Sequence, residues 1–398
     1  MAKNEKDEVD KISKKIIIWL IIISLSVFFF PFIGTLINHC IGLNIGELYT
    51  FGIADRKDFF TVWIALFGAI GIAINIYQNH RRTTNQDMQL IKQTEQIELQ
   101  SKSQRDSRFS KGVELLGNAN ESARTGAAYS LFFLAKDYPE EFAKPVFEIL
   151  CSHVRSITTT EEYKTKNIAR PSNEIQSIID LLFQNPESID LFKGLDADLK
   201  LSYLRGVGMI GVNLTAANLM GANLNFSIIY NTTLENALLA NAKLQYITIK
   251  ESNLSNANLE YSDLKGANLS KINLSNANLS NAELLKVALS EVNLSDAQLI
   301  HSNLSNATIT SDSKLVRTNL TNSDLSGANL SGVDLTEAKL NSANLSNAQL
   351  DDCILIDTLF SVRTNLTGVD LSEVDISRIK GRIDSLYTFF NNKVTDSQ

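Results

Sequence analysis

Large apolar residues recur every five positions through the second half of the chain. The series runs from Leu199 to Ile309 and resumes one residue late at Leu315, and a second extra residue falls within 361–364. A period of five fits neither an α-helix, with about 3.6 residues per turn, nor a flat strand, which alternates about every two residues. It fits a chain that turns a corner after each phrase, with the apolar residue facing inward.

A small or β-branched residue precedes each large one by two positions, and asparagine or aspartate usually lies between them. The stretch "NLSNANLSNA", residues 273–282, shows the pattern twice. Four such phrases would close a square coil of about 20 residues, and neighbouring coils would pair their backbones about 4.8 Å apart. The large residues would fill the axis and the polar ones would face water, so each coil would depend on its neighbours for stability.

This pattern resembles the pentapeptide-repeat family, whose phrase is A(D/N)LXX. The resemblance covers residues 196–380 and implies a right-handed quadrilateral β-helix of about nine coils, roughly 43 Å long at the strand spacing. Ile247 and Ile272 place large side chains where the family prefers small ones. The repeat ends after Ile376, and residues 381–398 are expected to form a C-terminal cap that closes the core.

Two uncharged apolar runs near the N terminus predict a transmembrane α-hairpin. Residues 16–37 would cover about 33 Å as a helix, enough for the hydrocarbon core, and residues 59–77 also suffice. Lysines in the tail 1–15 and arginines after the second span predict that both termini are cytoplasmic, with a short extracytoplasmic loop at 38–58. We therefore expect the chain to contact the lipid bilayer through both spans, in a bacterial inner membrane.

Small residues lie together on the second span, where they would let another helix approach closely. They are Ala65, Gly68, Ala69 and Ala73. Three interpretations stay open: packing within the hairpin, packing between copies in a homo-oligomer, and no special role.

The segment between the second span and the repeats is expected to be helical. Residues 78–108 are polar and free of Gly and Pro, which predicts a solvated helical stalk, since the heptad signal for a coiled coil is weak. Residues 109–195 resemble a small all-α, HEAT-like domain, in which 156–173 are typical of a surface linker. Pro186 is expected to end the last helix. The fold class is therefore mixed, and its order resembles a recurrent bacterial architecture of membrane-anchored pentapeptide-repeat proteins.

Composition adds little chemistry to this architecture. The 398-residue chain has a formal net charge of -7, which argues against binding nucleic acid through its phosphates. Three separated cysteines form no disulfide framework or metal spacing, and the four histidines are interpreted as isolated polar residues. The sequence shows no catalytic triad and no phosphate-binding loop. We therefore expect a protein that is not an enzyme and uses no metal or cofactor.

Residues 20 apart should lie one above another in the solenoid, so the sequence maps its surface. One corner of the first coils carries aromatic residues where later coils carry Gly266, Lys286 and Asn306. Phe226 and Tyr246 are expected to stack there. Exposed aromatic clusters usually mark contacts, and either the helical domain or an external protein would cover this one. The candidate patch comprises Ile210, Phe226, Ile228, Tyr230 and Tyr246.

Three functional hypotheses follow. The main one is a membrane-tethered, non-catalytic scaffold that presents a cytoplasmic rod to an unidentified protein. The second is a DNA-mimicking modulator of a topoisomerase, as the family resemblance implies for some soluble members. Residues 196–380 carry 19 acidic and 13 basic side chains, which is a thin excess for mimicry of a duplex. The third is a sensor whose membrane hairpin perturbs the bilayer.

Overall fold

The structure is a computed structural model that forms two units, Met1–Lys102 and Ser103–Gln398. Most of the predicted tail, first span, extracytoplasmic loop and C-terminal cap lies outside the described residues. The described residues are 14–15, 18–19, 21–23, 25–26, 29, 56–372, 374 and 379–381.

One long helix, α1 (Arg56–Leu116), contains both the predicted second span and the predicted stalk. It is continuous because the segment has no Pro, and residues 78–108 are rich in the helix formers Gln, Glu and Lys. Within the described part of the chain, no helix is long and apolar enough to cross a membrane. The membrane hairpin predicted at 16–37 and 59–77, and its contact with lipid, are therefore not confirmed.

Helices shorter than α1 form the rest of the helical region. The breaks that precede and follow the first of them lie at residues 117–120, a turn that begins with Gly117, and at Tyr138, just before Pro139. Ala127 and Leu131 of α2 and Val146 and Leu150 of α3 are buried, and these two helices pack against each other. The elements are α2 (Glu121–Asp137), α3 (Pro139–Thr158), α4 (Glu161–Lys166), α5 (Asn173–Ile179), a π-helical turn (Asp180–Gln184) and α6 (Pro186–Leu191).

Two local expectations for this region were wrong. The segment 156–173 is not simply a surface linker, because it contains the end of α3 and all of α4. Tyr163 of α4 is buried, and its hydroxyl accepts a hydrogen bond from the Ser172 N–H at 3.0 Å. Pro186 begins α6 instead of ending a helix. Asn185 caps the first turn of α6, where the missing N–H of proline costs nothing.

The repeats form a solenoid whose coils pair through four parallel ladders. One side forms a six-stranded sheet in chain order, and the other sides carry isolated bridges such as Asn253 with Asn273 and Asp263 with Glu283. These bridges join residues 20 apart, so the coil length expected from the sequence is confirmed. The strands are β1 (Gly208–Ile210), β2 (Ile228–Tyr230), β3 (Thr248–Lys250), β4 (Asn268–Ser270), β5 (Ala288–Ser290), β6 (Thr308–Ile309), β7 (Leu359–Phe360) and β8 (Lys380–Gly381), the last two paired with each other.

Hydrogen bonds explain why asparagine recurs at two positions of the phrase. Leu274 is buried, and Asn273 before it accepts a hydrogen bond from the Ser275 N–H at 3.1 Å. The Asn273 amide also donates to Asn253 of the preceding coil at 3.2 Å. Asn276 turns the corner with φ 59°, in the left-handed region that asparagine tolerates well. One asparagine therefore closes the turn and links the coils, and the other makes the corner.

The two interruptions of the repeat each lengthen one coil by a residue. Asn293 pairs with Lys314 and Asn344 with Asn365, so each pair is separated by 21 residues instead of 20. At the first interruption, the Ser313 hydroxyl accepts a hydrogen bond from the Val292 N–H at 3.2 Å. The side chain thus supplies an acceptor where the extra residue displaces the ladder.

The helical region caps the first coil of the solenoid. The Gln176 side-chain amide pairs with Gly208 of β1, accepting from its N–H at 3.1 Å and donating to its C=O at 2.9 Å. Gln184 donates to the same carbonyl at 3.0 Å, and the Thr158 hydroxyl accepts from the Tyr203 N–H at 3.1 Å. These side chains take the place of a preceding coil and protect the edge strand from pairing with another chain. A single cluster of buried apolar residues continues from the helices into the solenoid.

Candidate protein-binding site

Two aromatic residues occupy corner positions that most coils give to other residue types. Phe226 has φ 62° and Tyr246 has φ 54°, both in the left-handed region. The same corner carries Gly206 before them and Gly266 after them. Bulky side chains are disfavoured at positive φ, where Gly and Asn are the usual choices. Gly or Asn would therefore adopt the backbone conformation of this corner at a lower conformational cost than an aromatic residue.

The two rings stack, as the 20-residue spacing predicted. Their centroids lie 5.1 Å apart with an interplanar angle of 26°. The Arg205 guanidinium covers the other face of Phe226, with its central carbon 4.0 Å from the ring centroid. Tyr246 packs against Gly266, where an added Cβ would come within 2.7 Å of the Tyr246 ring. Both ends of the stack are thus covered, and its exposed part consists of ring edges.

The remaining patch residues lie on the outer face of the adjoining sheet. Ile210 of β1 pairs in register with Tyr230 of β2, and Ile228 precedes Tyr230 by two positions on the same face. The Tyr230 hydroxyl donates to Glu251 at 2.9 Å, and this hydrogen bond raises the pKa of Tyr230. The structure therefore brings all five candidate residues together on one surface, which we call the apolar patch. Their exposed fractions are 55% for Ile210, 45% for Phe226, 56% for Ile228, 39% for Tyr230 and 49% for Tyr246.

The helical region reaches the edge of the apolar patch without covering it. The Arg205 side chain donates a hydrogen bond to the Ile168 carbonyl in the loop between α4 and α5. Ala169 packs against Gly206, where an added Cβ would come within 2.6 Å of the Ala169 carbonyl oxygen. These contacts involve Arg205 and Gly206, which border the apolar patch. The five patch residues themselves are exposed to solvent in the described part of the chain.

Sequence reasoning missed Arg205, which belongs to the site. Arg205 immediately precedes Gly206, and Gly206 lies 20 residues before Phe226. The surface map that placed Tyr246 beside Phe226 would also have placed Arg205 one coil earlier. The side-chain direction over the ring, however, could not be deduced from spacing alone.

A buried ionic cluster in the helical region was also missed. Glu174 is fully buried; its carboxylate accepts two hydrogen bonds from Arg124, at 2.8 and 2.6 Å, and contacts His153 Nε2 at 2.6 Å. Burial acts to raise the pKa of Glu174, but the hydrogen bonds from His153 and Arg124 outweigh it and lower the pKa. His153 is therefore not the isolated polar residue that the sequence suggested. The cluster joins α2, α3 and α5, and its groups satisfy one another.

The described cysteines offer no reactive thiol. Cys151 and Cys353 are both buried, and burial raises the pKa of each to about 12. The Cys353 thiol donates to the Leu330 carbonyl at 2.9 Å, as hydroxyls do at equivalent places in other coils. In the described parts of the chain, no group of three His, Cys, Asp or Glu side chains could hold a metal ion.

The small residues predicted to pack the second span lie on α1. Ala65, Gly68, Ala69 and Ala73 are exposed on this helix. Their role in helix packing stays a prediction.

Comparison with known families identifies the solenoid. The family profile for pentapeptide repeats matches eight times between residues 197 and 380. Residues 197–380 are pentapeptide repeats. The protein thus combines a pentapeptide-repeat β-solenoid with an N-terminal helical region.

Solved structures of other pentapeptide-repeat proteins are similar to this chain over less than half of its length. HetL, a pentapeptide repeat protein involved in heterocyst differentiation regulation from Nostoc sp. strain PCC 7120, is 26% identical over 47% of this chain and 92% of its own, with a TM-score of 0.32. QnrB1, a plasmid-mediated fluoroquinolone resistance protein, is 13% identical over 47% of this chain and 96% of its own, with a TM-score of 0.25. A pentapeptide repeat protein from the Arabidopsis thaliana thylakoid lumen is 24% identical over 31% of this chain and 70% of its own, with a TM-score of 0.18. No relative was found among the curated proteins.

Proposed function

We propose that this pentapeptide-repeat protein is a non-catalytic scaffold that binds a protein partner through the apolar patch. One observation carries the proposal: five apolar side chains lie exposed together on the first coils. Large exposed apolar patches commonly mark protein interaction sites, and aromatic residues supply much of the binding energy there.

The backbone at the corner supports the same conclusion. Phe226 and Tyr246 adopt positive φ, whereas equivalent corners elsewhere use Asn256, Asn276 or Gly266 without loss of the coil. The turn itself does not need aromatic rings at these positions. Stacked on each other, the two rings instead provide an exposed surface that a partner can contact.

The geometry of the stack favours a protein over a nucleic acid. Single-stranded nucleic acids are held by stacking of bases on open aromatic faces. Here Arg205 covers one face of Phe226 and Gly266 lies under Tyr246, so only ring edges are offered. Ring edges suit van der Waals contact with protein side chains. The excess of acidic residues in the solenoid also repels phosphates.

The test compares the wild type with a Phe226→Asn/Tyr246→Asn variant. Asparagine tolerates positive φ, so the variant should fold with an unchanged unfolding temperature. The matched control is Tyr261→Asn, an exposed corner tyrosine with φ 57° outside the patch. Crosslinking in the cell followed by quantitative affinity purification should recover a partner with the wild type and the control, and lose it with the double variant. Equal recovery with all three proteins would contradict the proposal.

The DNA-mimicking modulator of a topoisomerase stays the alternative function. Its direct test is protection or inhibition of gyrase in a supercoiling assay with the purified protein. An effect that persists in the Phe226→Asn/Tyr246→Asn variant would favour this alternative over the scaffold.

Location at the bacterial inner membrane, with both termini cytoplasmic, is a separate proposal. It rests on the apolar composition of residues 16–37 and 59–77 and on the basic residues that flank them. Alkaline carbonate extraction of the cell envelope tests it, because an integral protein stays in the pellet. Release into the supernatant would remove tethering from the proposed function and leave partner binding as it stands.

A further inference from the structure

Four cationic side chains border the apolar patch, and we call them the cationic collar. Arg205 lies over Phe226, Lys250 is the register partner of Tyr230, and Lys265 precedes Gly266 under Tyr246. Lys286 lies one coil beyond Gly266 at the same corner. The patch thus has positive charge at both ends of the aromatic stack and along the sheet side.

Within the described residues, these charges are not neutralised by ion pairs. The ion pairs of the solenoid involve other cations, namely Arg155 and Lys200 with Asp198, Arg317 with Asp296, and Lys380 with Asp357. The cationic collar is therefore available to carboxylates from outside the chain.

The three carboxylates nearest the collar are already engaged by neutral donors. Glu251 accepts a hydrogen bond from the Tyr230 hydroxyl at 2.9 Å. Asp263 accepts one from the Gln245 side-chain amide. Glu283 interacts electrostatically with Lys265 and accepts a hydrogen bond from the Asn303 side-chain amide. Four cations against three carboxylates leave the patch locally positive, by a small margin, on a chain whose formal net charge is -7.

We infer that the partner segment is a peptide in which an aromatic or aliphatic side chain is flanked by carboxylates. The inference rests on the proposed function and specifies its partner. The apolar side chain would contact the exposed edges of Phe226 and Tyr246, while its acidic neighbours approach the collar. Arg205 is well suited to this role, because its planar guanidinium pairs with a carboxylate while stacked on a ring.

Long polyanions fit this surface less well than a short acidic peptide. Residues 196–380 carry six more acidic than basic side chains (19 against 13), so the solenoid as a whole repels a membrane of anionic lipid or a nucleic acid. Screening limits a surface charge to about 8 Å at physiological ionic strength. A short peptide bound at the patch therefore responds mainly to the collar, whereas an extended polyanion also meets the acidic side chains of the other coils.

The first experiment is selection of a random dodecapeptide display library on the full chain. Counter-selection against the Phe226→Asn/Tyr246→Asn variant restricts the enriched set to peptides that need the patch. We expect apolar residues flanked by Asp or Glu. An enriched set that is neutral or basic would overturn this inference and leave the proposed function intact. If no peptide depends on the patch, the proposed function itself fails.

The second experiment measures the charge contribution with a selected peptide and its analogue in which Asn and Gln replace Asp and Glu. In fluorescence anisotropy, we expect about tenfold weaker binding for the neutral analogue, with the advantage shrinking as salt is raised. The triple variant Arg205→Gln/Lys250→Gln/Lys286→Gln should lose the same factor, whereas Lys339→Gln on a distant coil should not. Equal affinity for both peptides would contradict the inference. So would patch-dependent binding to phosphatidylserine vesicles that exceeds the peptide binding.

Discussion

Two arginine–carboxylate pairs with the same geometry lie in the two folded regions of the chain. Arg124 donates two hydrogen bonds to Glu174 at 2.8 and 2.6 Å in the helical region, and Arg317 donates two to Asp296 at 2.7 and 2.7 Å in the solenoid. The Glu174 side chain is 1% exposed and that of Asp296 is 37% exposed. The two regions thus use one interaction in opposite environments.

The difference shows how each region reaches a unique structure. In the helical region, Glu174 contacts Arg124 and His153 from two other helices, so the buried charges fix how three helices fit together. In the solenoid, most buried positions carry apolar residues or Ser and Thr, and no buried charged residue is found among those described. The ladders repeat from coil to coil, so the exposed pair of Asp296 and Arg317 adds little to a coil that is already specified. Removal of one partner should therefore matter greatly in the first region and little in the second.

The largest expected effect comes from Arg124→Ala. This change leaves the Glu174 carboxylate buried without its main partner, and Arg124 also donates to the Asn118 and Ala119 carbonyls at the start of α2. We expect a loss of about 3–5 kcal/mol in the free energy of unfolding. The matched solenoid variant, Arg317→Ala, should leave the unfolding transition unchanged because that pair is exposed to solvent. Denaturant unfolding of both variants checks this, and equal effects would refute the comparison.

The same contrast explains what the sequence could predict. The same five-residue pattern recurs along the solenoid, so the spacing of residues predicted the inward position of Leu274, the coil length and the extra residue near Lys314. The stacking of Phe226 on Tyr246 followed from the same map. The partners of Glu174 come from residues 50 and 21 positions away on helices with no fixed repeat. Such a contact depends on tertiary packing, which no local pattern encodes.

Local signals also failed where one residue had two possible roles. Pro186 can end one helix or begin the next, and only the cap formed by Asn185 decides between them. Threonines and charges in 156–173 suggested a linker, although buried Tyr163 fixes that segment to the rest of the helical region. At the apolar patch, the 20-residue spacing predicted where the exposed rings lie. The position of the Arg205 side chain over the Phe226 ring could be learned only from the structure.

A smaller effect is expected at the junction of the two regions from Gln176→Ala. The change removes both hydrogen bonds that the Gln176 amide makes with Gly208. Gln184 still donates a hydrogen bond to the Gly208 carbonyl. The Gly208 N–H loses its partner at the edge of the first coil, so we expect a loss of about 1–3 kcal/mol in unfolding free energy. The control is Gln349→Ala, an exposed glutamine on a late coil.

Hydrogen exchange of the Gly208 amide provides a local readout of the same variant. Exchange should become faster in Gln176→Ala while amides of the central coils, such as that of Leu274, keep their protection. If the Gly208 amide stays as protected as in the wild type, the helical region does not protect this edge through Gln176.

The smallest expected effect is a pH dependence that separates the two carboxylates. Hydrogen bonds from His153 and Arg124 lower the pKa of Glu174 below its usual 4.5 despite burial, and the hydrogen bond from Arg317 lowers the pKa of Asp296 below its usual 3.8. A carboxylate with a lowered pKa stabilises the folded state above its unfolded-state pKa, and this stabilisation is lost as pH falls through the folded-state value.

Because Glu174 is buried and Asp296 is largely solvated, only Glu174 should contribute measurably. At neutral pH, Glu174→Gln should unfold more easily than the wild type. This difference in stability should begin to narrow as pH falls below about 4.5 and should be lost once pH has fallen through the lower folded-state pKa of Glu174, because the folded wild-type carboxyl is then protonated and resembles the amide. Asp296→Asn should match the wild type at every pH. Urea midpoints between pH 7 and pH 3 measure both gaps. A constant gap for Glu174→Gln would show that the shape of this side chain, and not its charge, holds the three helices together.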